Sequence, residues 1–332
     1  MILKALPTIG AHLEKLFNAS FARGIFPESL KRARLLALKK VSVPSTSSDF
    51  RPIALLCFLF KVLEKLAHDQ ITTYLEKNGL LDLMQTGFRK YNSTETALIK
   101  LTDDIRMGID RKTFTLLLLF DFSKAFDTIS PTKLLVKLKN LGFSGGALRW
   151  IKSYLQNRMQ CVFSGSNTSE HLTTNLGVPQ GSVLGPLLFC LYVNDLNHRI
   201  DKNSTLPIFH IFYADDLQVY IQVQIDQVLD GLEVLSQAGK RVTTWAENAG
   251  LNLNVKKTQA IFFGSSRHVQ RLQAIKLPGV RLSSNALVPF VDEVKNLGVI
   301  LDSKLSWKPQ INLVTKKVNT GHFMVYHLLK IA

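Results

Sequence analysis

Two apolar runs separated by a short polar link constrain the fold of this chain more than any other feature. The first run covers residues 208–212, and the second alternates apolar and polar residues over 217–223. Short runs of this kind around a polar link predict two β-strands joined by a tight hairpin. The tip of the hairpin would hold two adjacent carboxylates, Asp215 and Asp216.

A third acid stands at the end of another predicted strand. Residues 115–120 form an apolar run that is too short for a helix and suits a strand buried on both faces, and Asp121 follows it directly. Three carboxylates at neighbouring strand ends would repel each other unless cations lie between them. Phosphoryl transfer uses two divalent ions about 4 Å apart, which activate a hydroxyl and stabilise a leaving pyrophosphate. The alternative is ordinary turn chemistry, because Asp is common in turns.

The composition is that of a globular protein with a polyanionic partner. The chain has 332 residues, of which 46% are apolar, and this is enough for one large domain or for two or three subdomains. Its formal net charge is +16, and its pI is about 9.8. Such a charge suits either nucleic acid or an acidic membrane surface, and charge alone does not choose between them.

The cysteines and the hydropathy favour an intracellular protein without a membrane segment. Cys57, Cys161 and Cys190 lie in apolar contexts without metal-ligand spacing, so we expect reduced core residues without disulfide partners. The longest strongly apolar stretch, residues 183–193, is well short of the roughly 20 residues that span a bilayer. The first residues lack the pattern of a signal peptide.

Apolar periodicity and capping residues predict alternating helices and strands. Gly231 and Gly239 interrupt the longest helical pattern. The order of these elements predicts an α+β fold in which an antiparallel sheet carries helices on one face. The segments are helices over 59–75, 131–142 and 225–250, a strand over 260–263, and exposed loops over 42–49 and 164–174.

A glycine-rich segment, residues 177–186, carries the second chemical signal. Glycines on both sides of Pro179-Gln180 let the backbone approach a flat ligand such as a base pair, and Gln180 can both donate and accept hydrogen bonds. Pro186 would then open a helix. The alternative is a tight turn that leads into a helix without any ligand.

Together, three of these segments resemble motifs A, B and C of reverse transcriptases, especially those of non-LTR (LINE-like, jockey-type) retrotransposons. They are residues 120–127, 177–182 and 213–216, in that order. Residues 50–53 and 85–90 look like the finger motifs of the same family, and residues 251–258 and 296–307 look like its motifs D and E. Nearly the whole chain is covered by the resemblance.

The resemblance implies a right-hand polymerase fold of the α+β class. Residues 1–112 would form an N-terminal extension and the fingers, residues 113–306 the palm with a finger insertion around 130–183, and residues 307–332 the start of a truncated thumb. With its thumb mostly missing, the chain is expected to hold primer and template weakly.

The implied function is that of an RNA-directed DNA polymerase, a nucleotidyltransferase that extends a primer 3′-hydroxyl with deoxynucleoside triphosphates. Its cofactors would be two Mg²⁺ ions, for which Mn²⁺ could substitute, and its partners an RNA template and a DNA primer. Such an enzyme would work in the cytoplasm, in the nucleus or in both. The oligomeric state stays open.

The resemblance also implies roles for individual residues. Asp121, Asp215 and Asp216 would be the catalytic metal-binding carboxylates, with a further metal contact from the backbone carbonyl of Phe122. Lys257, or its neighbour Lys256, would help to protonate the leaving pyrophosphate.

The remaining implied roles concern the nucleotide and the template. Phe126 would be the steric gate that excludes a ribose 2′-hydroxyl. The other residues are Gln180 and Gly181 at the nucleotide, Arg51 with Lys39 or Lys40 at the triphosphate, and Arg89 and Pro179 at the template and primer.

Two other readings of the sequence stay open. One is a catalytically impaired, transposon-derived remnant that only binds nucleic acid. The other is a viral RNA-dependent RNA polymerase, for which Asp127 would fit the acids that recognise ribose in those enzymes. Phe126 and the Tyr213-Ala214 pair before the acids favour the reverse transcriptase.

Overall fold

The computed structural model of the protein describes residues 2–164 and 167–331. In chain order the helices are α1 (Ile2–Arg23), α2 (Phe58–Lys77), α3 (Thr94–Asp110), α4 (Pro131–Asn140), α5 (Gly145–Leu155), α6 (Leu184–Val193), α7 (Asn197–Ile200), α8 (Val228–Ala249), α9 (Ser266–Ile275) and α10 (Lys308–Ile331). The strands are β1 (Arg32–Lys39), β2 (Phe50–Leu55), β3 (Phe114–Phe120), β4 (Phe122–Ser123), β5 (Arg158–Ser164), β6 (Asn167–Thr168), β7 (Leu172–Thr174), β8 (Phe209–Tyr213), β9 (Asp216–Val223), β10 (Asn252–Leu253), β11 (Gln259–Phe263), β12 (Val280–Ser283), β13 (Ala286–Val288), β14 (Glu293–Asn296) and β15 (Val299–Asp302).

The chain divides into two compact units, and the first comprises residues 1–83, 124–195 and 248–252. Its sheet has the order β2-β1-β5, with β6 and β7 also paired to β5. Strand β1 is antiparallel to β2 and parallel to β5. A cluster of rings fills its core, where Phe26 lies 5.1 Å from Phe60 and 5.3 Å from Tyr154, measured between ring centroids.

The second unit comprises residues 84–123, 196–247 and 253–332. It contains an antiparallel sheet with the order β11-β3-β9-β8. The strands predicted over 115–120, 208–212, 217–223 and 260–263 are confirmed, and β3 is buried along nearly its whole length.

Helices cover both faces of this sheet, and the prediction of helices on one face was wrong. Helix α3 packs on the face that carries Leu117 and Tyr220, in a core that also includes Leu101. Helix α8 lies on the opposite face, since a Cβ atom on its Gly239 would be 3.4 Å from Leu118 Cδ2. Because both faces of β3 are apolar, each face needs a cover to exclude water.

The two glycines that interrupt the helical pattern of α8 do not interrupt the helix. A Cβ atom on Gly231 would lie 2.8 Å from Val223 Cγ1, and one on Gly239 would lie 2.5 Å from Leu282 Cδ2. At both positions a methyl group would push against a neighbouring side chain, so glycine permits this close packing despite its lower helix propensity.

Several other predictions meet the structure. Helices α2 and α4 confirm the predicted segments, whereas α6 begins at Leu184, two residues before Pro186. Cys161 and Cys190 are buried, but Cys57 is exposed at the start of α2 rather than in the core.

The segment 164–174 was predicted as an exposed loop, and this was wrong in part. Within it, β6 and β7 are exposed strands that pair with β5, while residues 165 and 166 lie outside the described residues. In the described part of the chain, no helix combines the length and the apolar character needed to cross a bilayer.

Candidate active site

The two adjacent acids lie at the turn of the β8–β9 hairpin. Tyr213 pairs with Asp216, so the turn consists of Ala214 and Asp215, and Asp216 is the first residue of β9 rather than part of the tip. Ala214 has a φ of 56°, in the left-handed region that residues other than glycine rarely adopt. The acids are thus presented on a backbone that two well-buried strands hold in a strained conformation.

The register of the sheet brings the third acid opposite this hairpin. Phe120 of β3 pairs with Leu217 of β9, so Asp121, one residue beyond, and Asp216, one residue before, lie at the same edge of the sheet. Both acids line a cavity of about 350 Å³. The register thus places Asp121 next to the turn that carries Asp215 and Asp216.

Partial burial and the charges of two neighbouring acids act together on the Asp216 carboxyl. Partial desolvation, followed by the charges of Asp215 and Asp121, raises the pKa of the Asp216 carboxyl from 3.8 to about 6. The side chain of Asp216 nevertheless reaches solvent. A cation that binds between these groups would relieve the repulsion.

The donor set fits a hard divalent cation such as Mg²⁺, which prefers carboxylate oxygens. Among the residues that the structure describes, no three Asp, Glu, His or Cys side chains are close enough together to form a finished metal cage. Sites of this kind bind Mg²⁺ through one or two carboxylates plus substrate phosphates, rather than through an all-protein cage.

Residues 84–87 support the acid hairpin from the side. Phe212 N donates a hydrogen bond to Met84 O over 2.9 Å, and Thr86 N donates to Phe212 O over 2.8 Å. A Cβ atom on Gly87 would lie only 2.2 Å from Ala214 N, so glycine is required there. Sequence reasoning missed this supporting role, for which the glycine itself is the only signal.

The segment 254–257, which is hydrogen-bonded to Asp121, places a lysine at the same cavity. Asn254 N donates a hydrogen bond to Asp121 O over 2.8 Å, and Lys257 lies in the turn that follows. Lys257 lines the cavity together with Lys295, a residue that sequence reasoning missed. Arg89, by contrast, is half-buried, and its Nη1 donates to Gln85 O over 3.3 Å.

In the first unit, the glycine-rich segment is clamped by backbone hydrogen bonds. Val178 N donates to Phe126 O over 2.9 Å, and Ala54 N of the edge strand β2 donates to Gln180 O over 2.8 Å. Gly181 has a φ of 102°, and a Cβ atom there would lie 3.0 Å from Ala54 O. Pro179 is buried, while Gln180 is half-buried.

A buried carboxylate holds the far end of this segment. Glu64 of α2 accepts hydrogen bonds from Tyr154 Oη at 2.6 Å, from Val183 N at 2.9 Å and from Leu184 N at 3.3 Å. Burial raises the pKa of Glu64, although each of these donors acts to lower it. The signal for this residue was an acid within the apolar stripe of a helix, and it was missed.

The remaining predicted residues lie in the first unit as well. Phe126 is half-buried, and its ring stacks on Phe189 of α6 with 4.6 Å between centroids. On the β1–β2 hairpin, Arg51 pairs with Leu38 and Lys39 pairs with Phe50.

Neighbouring residues of a strand point to opposite faces, so Arg51 and Lys39 lie on opposite faces of this hairpin. Lys40 follows the end of β1, and its backbone N donates a hydrogen bond to Asp49 O over 2.7 Å. All three basic residues are exposed. The register therefore places Arg51 and Lys39 on different faces.

Comparison with solved structures supports the architecture. The chain resembles a structure described as apo telomerase from Candida tropicalis truncated from its C-terminal domain, with a TM-score of 0.54 and 13% sequence identity over 90% of this chain and 59% of that one. The similarity shows that the two chains share a mixed α/β fold.

Curated relatives carry the comparison further. The chain is 30% identical over 95% of its length to a probable RNA-directed DNA polymerase from transposon BS of Drosophila melanogaster. It is 27% identical over 93% of its length to the RNA-directed DNA polymerase from the mobile element jockey of the same species. The chain spans about a third of the length of these relatives, 34% and 33% respectively.

Residues 38–301 match the family described as reverse transcriptase (RNA-dependent DNA polymerase). The match covers most of the chain and includes the three acids and the glycine-rich segment. Together with the jockey and BS relatives, it confirms the resemblance to non-LTR retrotransposon enzymes that the sequence motifs indicated. The chain belongs to the reverse transcriptase family.

Proposed function

We propose that this chain copies RNA into DNA for a retrotransposon, by transferring nucleotides from deoxynucleoside triphosphates to a primer 3′-hydroxyl. The observation that carries the proposal is the register between β3 and β9, which sets Asp121 opposite Asp216 next to the Asp215 turn. A net charge of +16 suits the template and primer that such a reaction needs.

Asp121, Asp215 and Asp216 would hold two Mg²⁺ ions, and the backbone carbonyl of Phe122 would add a ligand. When bound, the ions would supply activation of the attacking hydroxyl and stabilisation of the leaving pyrophosphate, and Mn²⁺ could substitute for them. The rigid strands under the acids would fix the carboxylates, while Lys257 at the edge of the same cavity would offer a proton to the pyrophosphate.

Roles in nucleotide and strand binding extend the proposal to other residues. Phe126 would exclude ribonucleotides, and Gln180 with Gly181 would contact the incoming nucleotide. Arg51, with Lys39 or Lys40, would bind the triphosphate, because all three are exposed basic residues on or next to the β1–β2 hairpin. Arg89 and Pro179 would contact the template and the primer.

In the terms of the family, residues 113–306 would be the palm and residues 1–112 an N-terminal extension with the fingers. Residues 130–183 would be a finger insertion, and 307–332 would begin the thumb. The protein would act inside the cell, in the nucleus, the cytoplasm or both.

Primer extension on RNA and DNA templates with Mg²⁺ tests the proposal. The wild-type chain should incorporate deoxynucleotides, and Asp215→Ala should reduce incorporation by about a thousandfold or more, because a metal ligand is lost. Asp230→Ala is the matched control, since Asp230 is an exposed acid of the same unit in the first turn of α8. Equal activity of the two variants would contradict the proposal.

The gate can be tested in the same assay. Phe126→Val should admit ribonucleotides that the wild-type chain excludes, because a smaller side chain leaves room for the 2′-hydroxyl. Exclusion that persists in this variant would remove Phe126 from the role. A chain that binds primer and template but incorporates nothing would instead favour the nucleic-acid-binding remnant.

A further inference from the structure

The side chain of Gln180 is held by a carboxylate that the roles above do not use. Gln180 Nε2 donates a hydrogen bond to Asp127 Oδ1 over 2.8 Å, and both residues are half-buried. Asp127 ends a short 3-10 turn, Ala125–Asp127. Gln180 lies 53 residues further along the chain. The hydrogen bond therefore depends on the folded unit rather than on local structure.

The backbone on either side of this contact is already fixed. Gly177 N donates to Ile129 O over 2.8 Å and Val178 N to Phe126 O over 2.9 Å, which attaches the glycine-rich segment to the turn of Asp127. Ala54 N fixes the carbonyl of Gln180 from the other side. What remains to be set is the orientation of the Gln180 side chain, whose rotamers are otherwise free.

Asp127 sets this orientation through the polarity of the hydrogen bond. A carboxylate accepts hydrogen bonds, whereas a glutamine amide presents an oxygen on one side and an NH₂ group on the other. Only the NH₂ group can face Asp127, so the amide oxygen must face away from it. Without the carboxylate, either orientation of the amide would be open.

The oriented amide lies beside space that a ligand can enter. Asp127 and Gln180 line a cavity of about 180 Å³, together with Gly177 and Pro179 of the same segment. Phe126 is held separately, by its stacking on Phe189. A change at Asp127 can therefore alter the amide of Gln180 while the neighbouring ring keeps its packing.

We propose that Asp127 is a positioning residue, which fixes the Gln180 amide in the one orientation that reads the incoming nucleotide. The inference rests on the proposed polymerase function and deepens it. It also assigns the Asp127 carboxylate to Gln180, rather than to the ribose as in the RNA polymerase reading. Its loss should weaken nucleotide binding and selection while the chemical step persists.

The test compares steady-state incorporation of matched and mismatched deoxynucleotides by the wild-type chain, Asp127→Asn, Gln180→Ala and the double variant. Asparagine has the same shape as aspartate but can present either an oxygen or an NH₂ group, so it no longer selects the amide orientation. We expect Asp127→Asn to raise KM about tenfold and to increase misincorporation, with kcat within about twofold of wild type.

The double variant separates positioning from an independent role. Because Asp127 acts through Gln180, Asp127→Asn should have no further effect on KM in the Gln180→Ala background. Asp195→Asn is the matched control, since Asp195 is another acid of the first unit and pairs with Lys137. Its kinetics should equal those of the wild-type chain.

Three outcomes would overturn the inference: an unchanged KM in Asp127→Asn, a fall in kcat alone, or additive effects in the double variant. Admission of ribonucleotides by Asp127→Asn would assign the carboxylate to the ribose instead. Each of these leaves incorporation by the wild-type chain intact. No incorporation by either the wild-type chain or Asp195→Asn would overturn the proposed function itself.

Discussion

Two sets of carboxylates in this protein have different neighbours: one set faces hydrogen-bond donors, and the other faces further acids. Glu64 and Asp127, in the first unit, accept hydrogen bonds from donors of the protein, namely two backbone amides, a tyrosine hydroxyl and a glutamine amide. Asp121 and Asp216, in the second unit, line an open cavity, and partial burial together with the charges of Asp215 and Asp121 raises the pKa of Asp216 to about 6. The first set is satisfied internally, while the second set carries repulsion that a cation would relieve.

The difference shows that the same residue type serves as structure or as site according to what faces it. A buried carboxylate with several donors organises the backbone around it, as Glu64 does for the start of α6. A carboxylate placed beside other carboxylates costs stability until a ligand arrives. The comparison therefore predicts that replacing a carboxylate of the first set lowers the free energy of unfolding, whereas replacing one of the second set raises it.

The largest effect is expected for Glu64→Ala. Its removal leaves the amides of Val183 and Leu184 and the hydroxyl of Tyr154 without their acceptor in a buried environment. We expect the free energy of unfolding to fall by about 4 kcal/mol, measured by urea denaturation. Glu76→Ala is the matched control on the exposed side of the same helix, with an expected change of less than about 0.5 kcal/mol. Similar small changes in both variants would break the comparison.

The second effect is expected for Gly87→Ala, which disturbs the segment that supports the acid hairpin and leaves every acid in place. The added Cβ atom would lie 2.2 Å from Ala214 N, so the turn must move. We expect a loss of about 3 kcal/mol in the free energy of unfolding and a loss of most primer extension.

Gly10→Ala is a control with open space around the new Cβ atom. It should change neither the stability by more than about 1 kcal/mol nor the activity. Wild-type activity of Gly87→Ala would show that the hairpin does not depend on this close approach.

The sequence predicted the strands that carry the acids of the second unit, because each acid stands next to an apolar run. The apolar runs before Asp121 and around Asp215 predicted β3, β8 and β9, and pairing of these strands brings the acids together. The two faces of the sheet were harder to predict. The cover on both faces follows from the burial of β3, which the apolar run itself indicated.

The sequence was insufficient where contacts join distant segments. Gln180 and Asp127, or Glu64 and Val183, are brought together only by the fold, and no local periodicity marks them. The same holds for position 87, where only glycine fits because Ala214, far along the chain, lies so close. For Arg51 and Lys39, only the register of the β1–β2 hairpin shows that they lie on opposite faces.

The third effect is a pH dependence that belongs to Glu64. Burial, the largest cause, raises its pKa in the folded protein above the ordinary value of 4.5. The folded state therefore holds the proton more tightly than the unfolded state does. The stability that this group contributes is therefore fully present below about pH 4.5 and is lost as pH rises through the folded pKa. Glu64→Gln cannot titrate. The stability of the wild-type chain relative to this variant should decline from pH 4.5 to pH 7 in urea titrations, and a rise would contradict the assignment.

The smallest effect, and the one of opposite sign, is expected for Asp216→Asn. The substitution removes a charge that Asp215 and Asp121 repel, and the side chain reaches solvent, so screening limits the gain. We expect the free energy of unfolding to rise by at most about 0.5 kcal/mol at pH 7 without divalent ions, while primer extension is lost. Asp230→Asn, in the same unit but away from the acids, should leave both quantities unchanged. If Asp216→Asn lowered stability by as much as Glu64→Ala, the Asp216 carboxylate would have a structural donor of its own, and the contrast between the two sets would fail.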